Sequence, residues 1–168
     1  MNIRGVRHMR YLVQRFGFIF MLLPLSSDAA PKVIEMLNRQ NDEMMVFSIP
    51  LLQVKSGETV TFKATDLTHS VAFVDGGVPA GVSPLKGVFN TDTSYTFEKP
   101  GIYVYKCPAH YGMGMIGAVV VDKNHDNLAA VKSLELMPAA QKRLNQILSQ
   151  LTKVMEITQP PSPTKAKK

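Results

Sequence analysis

Residues 107 to 115 read Cys-Pro-Ala-His-Tyr-Gly-Met-Gly-Met, putting one thiol, one imidazole and two thioethers into a single short stretch. A thiolate and imidazoles in a near-trigonal arrangement, with a more distant thioether, form the donor set of blue-copper electron-transfer centres. Cys107 and His110 supply two of the three strong donors. The third must come from elsewhere, and His69, in Leu67-Thr-His-Ser-Val71, is the best candidate. For the weak axial position Met115 is favoured over Met113, because Met115 abuts the apolar run Ile116 to Val121 while Met113 sits between two glycines.

Other chemistries fit these residues less well. Tetrahedral zinc sites usually draw on several cysteines or three histidines, and the chain has a single cysteine. A nucleophilic Cys-His pair would put the base three residues after its nucleophile in a tight loop, with no evident third group to orient it. His8 lies in the N-terminal leader, and His125, in Asp122-Lys-Asn-His-Asp126, reads as an exposed turn residue.

A copper site that exchanges electrons quickly must barely move, so its donors have to be tied to rigid elements. From Lys32 to Val121 the chain alternates short β-type runs with turn residues, which predicts a mainly β sandwich or barrel. The expected strands are Val33 to Leu37, Met45 to Ser48, Leu51 to Val54, Thr59 to Ala64, Ser70 to Val74, Thr93 to Phe97, Gly101 to Lys106 and Ile116 to Val121. The last two flank the Cys107–Met115 loop. His69 opens another strand 38 residues upstream of Cys107, so a metal there would clip two parts of the sheet structure together. Lys55-Ser-Gly-Glu58 and Glu98-Lys-Pro-Gly101 read as turns, and Asp75 to Asn90 as a Gly/Pro-rich crossing.

Beyond Asp122 the apolar period lengthens to that of a helix. Asn127 or Asp126 can cap a short helix from Leu128, and Pro138 can occupy the first turn of a second helix running to about Glu156. Leu144, Ile147, Leu148, Leu151, Val154 and Met155 share one face of that helix, which should pack against the sandwich.

The chain has 168 residues, 45% of them hydrophobic, enough for one domain with a substantial core. At the N-terminus Arg4, Arg7, Arg10 and Arg15 precede the apolar run Phe16 to Leu25 and then Ser26-Ser-Asp-Ala-Ala30, the pattern of a secretory signal cleaved near Ala29. The apolar run is about ten residues, against the roughly twenty that cross a bilayer, so the mature form should not be membrane-bound. Removing residues 1–29 lowers the formal charge from +6 to +3, and Lys165, Lys167 and Lys168 of the tail account for that remainder. A neutral folded part without a basic helix gives nucleic-acid binding no support. A lone cysteine in an exported chain cannot pair internally, which adds weight to a metal. The expected organisation is a cleaved signal peptide (1–29), a β-sandwich (30–124), a C-terminal helical pair (125–157) and a disordered Pro/Lys tail (158–168).

With these residues on the page, the chain resembles the pseudoazurins, small periplasmic cupredoxins, over roughly residues 31 to 155. The likeness rests on Met36-Leu-Asn38, Met45-Val-Phe47, Gly57-Glu-Thr-Val-Thr-Phe62, Lys106-Cys107, His110-Tyr111, Met113-Gly-Met-Ile116 and the C-terminal helical pair. The resemblance implies a cupredoxin-like Greek-key β-sandwich of about eight strands with two C-terminal α-helices. It implies one type 1 copper held by His69, Cys107, His110 and Met115, and one-electron transfer rather than catalysis. It further implies periplasmic redox partners, a reductase such as a copper nitrite reductase as acceptor and a cytochrome or dehydrogenase as donor. They would meet a monomer through a patch around His110 with Met45, Met113, Arg39 and Lys106. The competing expectation is a copper carrier or storage protein without redox turnover. The chain departs from the family pattern in two places: Ser70 stands where Asn is usual, and Pro108-Ala109 replaces Thr-Pro, freeing the Ala109 amide to point at the Cys107 sulfur.

Overall fold

A computed structural model describes residues 32–158, with the side chains of 154–158 left aside; the leader and the tail beyond Thr158 lie outside the described residues. Eight strands form: β1 (Lys32–Gln40), β2 (Glu43–Phe47), β3 (Leu51–Val54), β4 (Glu58–Lys63), β5 (Ala72–Phe73), β6 (Thr93–Phe97), β7 (Gly101–Lys106) and β8 (Ile116–Val121). They make two four-stranded sheets, ordered β2-β1-β4-β6 and β3-β8-β7-β5. The β1–β4 and β3–β8 pairs are parallel and the others antiparallel, completing a Greek-key sandwich.

The period of two explains which residues meet between the sheets. Ile34 and Met36 of β1, Val60 and Phe62 of β4, Tyr103 and Tyr105 of β7, and Val119 and Val121 of β8 all enter one buried cluster that ends at Cys107 and Met115. The Tyr105 ring packs edge-on against Phe47 and Phe62, with centroids 4.7 and 4.9 Å away. Its hydroxyl donates to the Ile49 carbonyl at 3.1 Å, so this buried polar group is satisfied.

Strands β7 and β8 are buried on both faces, which is why they read as unbroken apolar runs. Their other face, Ile102, Val104, Ile116, Ala118 and Val120, forms a second cluster with Val131 of α1 (Leu128–Lys132) and Ala140, Leu144, Ile147, Leu148 and Leu151 of α2 (Pro138–Thr158). The expected apolar face of α2 therefore packs as predicted through Leu151, and Val154 and Met155 fall beyond the described side chains. Pro138 begins α2. An Arg143–Glu43 ion pair at 2.6 Å ties this helix to the first residue of β2.

Three local expectations are corrected. The first strand runs on to Gln40, because Asn41, at φ 53°, lets β1 turn directly into β2. The strand expected at Ser70 to Val74 shrinks to Ala72–Phe73, since the amides and carbonyls around it bond to the crossing segment instead: Gly87 N–H to Val71 O at 2.7 Å and Phe73 N–H to Leu85 O at 3.1 Å. Asn127 sits at the start of α1 but does not cap it with its side chain. Its amide instead pairs with Ile102, accepting from N–H at 2.9 Å and donating to O at 2.8 Å, which pins the helix to β7.

Candidate metal centre

Every predicted donor lies at one end of the sandwich, each in a loop leaving a strand. Cys107 follows β7 directly, and Met115 immediately precedes β8. The loop between them is folded by its own amides. Cys107 N–H donates to Met115 O at 3.0 Å, His110 N–H to Cys107 O at 3.2 Å, and Met115 N–H to His110 O at 3.2 Å. These bonds hold the loop's two ends together, so the donors are fixed by the β7–β8 pair beneath them. Gly114 is needed here: its φ is 91°, and a Cβ would come within 3.0 Å of the Ala139 carbonyl at the start of α2.

His69 arrives from the connection between β4 and β5, where the chain crosses from one sheet to the other. It is fully buried, as are Cys107 and Met115, whereas His110 is half-buried. Cys107 Sγ lies 3.8 Å from His69 Nδ1 and 3.6 Å from His110 Nδ1, and the two Nδ1 atoms are 3.1 Å apart. A point equidistant from three atoms so spaced is about 2.0 Å from each, the length of a bond from imidazole nitrogen to a first-row metal ion. One soft sulfur and two imidazoles converging in this way fit a copper ion.

The imidazoles present the correct atoms for that role. His69 Nε2 lies 3.0 Å from Asn38 Oδ1, which can only accept, so the proton sits on Nε2 and the Nδ1 lone pair faces the thiol. Burial, with His110 as a like-charged neighbour, holds the His69 imidazole below its ordinary titration range; Asp66 opposes this. Neutral imidazole is the form that ligates.

The β1 residue Asn38 entered the sequence reading only as part of the Met36-Leu-Asn38 likeness and was given no role at the metal site. Ile34 and Met36 face the core, and Asn38 follows on the same side of β1 where that strand becomes exposed, so burial gave no sign of its partner. His125 also departs from expectation, being partly buried, with an Nε2 that has no hydrogen-bond partner. It does not join the donor group, which among the described residues comprises His69, Cys107 and His110. Ser70, which stands where the family usually has Asn, is buried beside His69. The expected Ala109 N–H bond to the Cys107 sulfur is not seen among the described residues, where that amide has no bonded partner.

The arrangement is that of a cupredoxin: two four-stranded sheets with a thiol, two imidazoles and a thioether gathered at one end. The family described as "Copper binding proteins, plastocyanin/azurin family" matches residues 34–122. The pseudoazurin of Methylorubrum extorquens is 36% identical over 129 residues, covering 77% of this chain and 86% of that one. The crystal structure of pseudoazurin from Methylobacterium extorquens AM1 superposes with a TM-score of 0.70 at 36% identity, covering 72% of this chain and 98% of that one. Native pseudoazurin from Hyphomicrobium denitrificans gives 0.69 at 37% identity, covering 72% and 98%. The chain belongs to the plastocyanin/azurin family of copper-binding proteins, and within it to the pseudoazurins. It is a type 1 copper electron carrier and not an enzyme.

Proposed function

We propose that this protein is a soluble periplasmic electron carrier whose copper is held by His69, Cys107, His110 and Met115, and that it delivers electrons to a reductase such as a copper nitrite reductase. The observation that carries the ligand assignment is the triangle of Sγ and two Nδ1 atoms with a centre at bonding distance from all three. Bound copper supplies a one-electron couple at this place. The chain's own residues do the rest. Asn38 holds the His69 ring in one orientation, the Cys107–Met115 amides keep the loop closed, and the buried face of Tyr105, Phe47 and Phe62 behind the thiol excludes water.

His110 is the proposed exit for the electron, since it alone among His69, Cys107, His110 and Met115 reaches the surface. Around it the exposed Pro108, Gly112 and Met113, with the half-buried Met45, are the proposed apolar patch. Arg39 is exposed, and the Lys106 ammonium rests 4.7 Å above the Tyr111 ring, so both can stand at the rim of an interface with an acidic partner. Leu67, 70% exposed, occupies a position where the family pattern suggests lysine, which weakens the steering. Redox encounters of this kind bury less than about 1,200 Å², consistent with a patch of this modest extent. The basic and apolar leader supports export, with cleavage near Ala29, ahead of a sandwich unit (30–124) and its helical pair (125–157).

The test is made on the purified, copper-loaded chain. An intense visible thiolate-to-copper band and rapid electron self-exchange are expected, and both should vanish in Cys107→Ser. A band that survives Cys107→Ser would overturn the ligand assignment. Slow self-exchange with ready loss of Cu(I) would mark a copper carrier instead.

A further inference from the structure

We infer that Asn90 is a positioning residue for the copper site, clamping the backbone on both sides of His69; this rests on His69 being a copper ligand. Asn90 lies 21 residues beyond His69, in the Gly/Pro-rich crossing between β5 and β6. Its N–H donates to the His69 carbonyl at 2.8 Å, and its side-chain Oδ1 accepts from the Thr68 N–H at 2.5 Å. One residue thus ties the peptide group that leads into Thr68 and the one that leaves His69. Two further bonds, Gly87 N–H to Val71 O and Phe73 N–H to Leu85 O, continue the attachment, so the crossing segment is laced along residues 69 to 73. Gly87 permits this approach, because a Cβ there would meet Thr93 Oγ1 at 2.6 Å and Val71 O at 3.0 Å.

The backbone conformations show that the clamp holds something that would not stay by itself. Thr68 has φ 70° and Asn90 φ 59°, both left-handed. Asparagine is among the residues that enter this region most readily, but a β-branched threonine there is an outlier that persists only where its surroundings impose it. The imposed residue adjoins a predicted metal ligand. Asn38 fixes the rotation of the His69 ring from one side, while Asn90 fixes the position of the backbone that carries it. Together they leave the buried Nδ1 a single place to be, which is what keeps reorganisation small when charge on the metal changes.

The experiment uses the full copper-loaded chain with three substitutions. Asn90→Gly keeps the left-handed conformation and the backbone N–H but removes the acceptor for Thr68. It should lower Cu(II) affinity by about tenfold, shift the reduction potential and slow self-exchange. Asn90→Asp restores an acceptor oxygen and should return all three toward wild type. Asp92→Ala is the control, since Asp92 Oδ1 accepts from the Ala64 N–H at 2.8 Å in the same connection without touching His69; it should lower thermal stability and leave the visible band in place. An Asn90→Gly protein with unchanged band, potential and exchange rate would overturn the inference, as would an Asn90→Asp protein no better than Asn90→Gly. A wild-type protein without the visible band would overturn the copper assignment itself, and this inference with it.

Discussion

Replacing Asn38 by alanine removes the acceptor for the His69 Nε2 proton, held at 3.0 Å, while leaving every predicted copper ligand in place. His69 is fully buried while Asn38 is exposed, so water can reach the ring from the Asn38 side. Water entering there can replace the lost bond in part, which puts the loss near the lower end of what an abandoned buried donor costs, about 1 kcal/mol. The ring also regains rotational freedom about its Cα–Cβ bond, and removing such an outer partner usually weakens a metal site by about 10- to 100-fold. We therefore expect copper affinity in Asn38→Ala to fall by about tenfold, close to 1.4 kcal/mol, measured by competition against a chelator of known affinity. Asn38→Asp gives the opposite sign, because a carboxylate accepting from Nε2–H is a stronger, charge-assisted partner that makes the imidazole a better donor to Cu(II). An Asn38→Ala protein that binds copper as wild type does, or an Asn38→Asp protein as weak as Asn38→Ala, would refute the claim that this bond orients the ring.

Two further outcomes test other parts of the structure. The Lys32 ammonium at 2.6 Å and the Lys55 N–H hold the Glu58 carboxyl below its ordinary range, so its contribution to stability is complete above about pH 4.5 and fades as pH falls through the lowered folded value; Glu58→Gln should flatten the acid limb of the melting-temperature profile, by at most about 1 kcal/mol for a pair this exposed, and an acid limb as steep as wild type would discount the pair. Ala109→Pro removes an N–H two residues beyond Cys107 in the ligand loop, and if that amide turns to the sulfur once copper is bound, voltammetry should show a lower reduction potential than wild type, since a donor toward the thiolate favours Cu(I); an equal or higher value would contradict this.

The sandwich and the donor group were legible because their signals are local. Alternation marks β1 and β4, unbroken apolar runs mark β7 and β8, and Cys107, His110 and Met115 are close neighbours in the chain. What escaped is non-local. Asn38 lies 31 residues from His69, and Asn90 reaches Thr68 across 22 residues; an amide in either place has no spacing rule to announce it. The strand around Ala72 was drawn too long for the same reason, because its length depends on whether residues 85 to 90 or another strand takes up its backbone groups. Asn127 shows the reverse error: a residue type with a well-known local role was used instead across 25 residues, to hold β7.

The parallel pairing of β3 with β8 has a consequence for how the protein comes into being. Residues 51–54 must wait for residues 118–121 before their sheet has its full order β3-β8-β7-β5. Joining segments so far apart is slow compared with forming a hairpin. The loop that carries Cys107, His110 and Met115 travels with that late segment. His69 and the Cys107–Met115 loop come together only when the two sheets close on one another, so the donor group is assembled by that closure. Until that closure the Cys107 thiol lacks the buried surroundings that cover it in the folded chain.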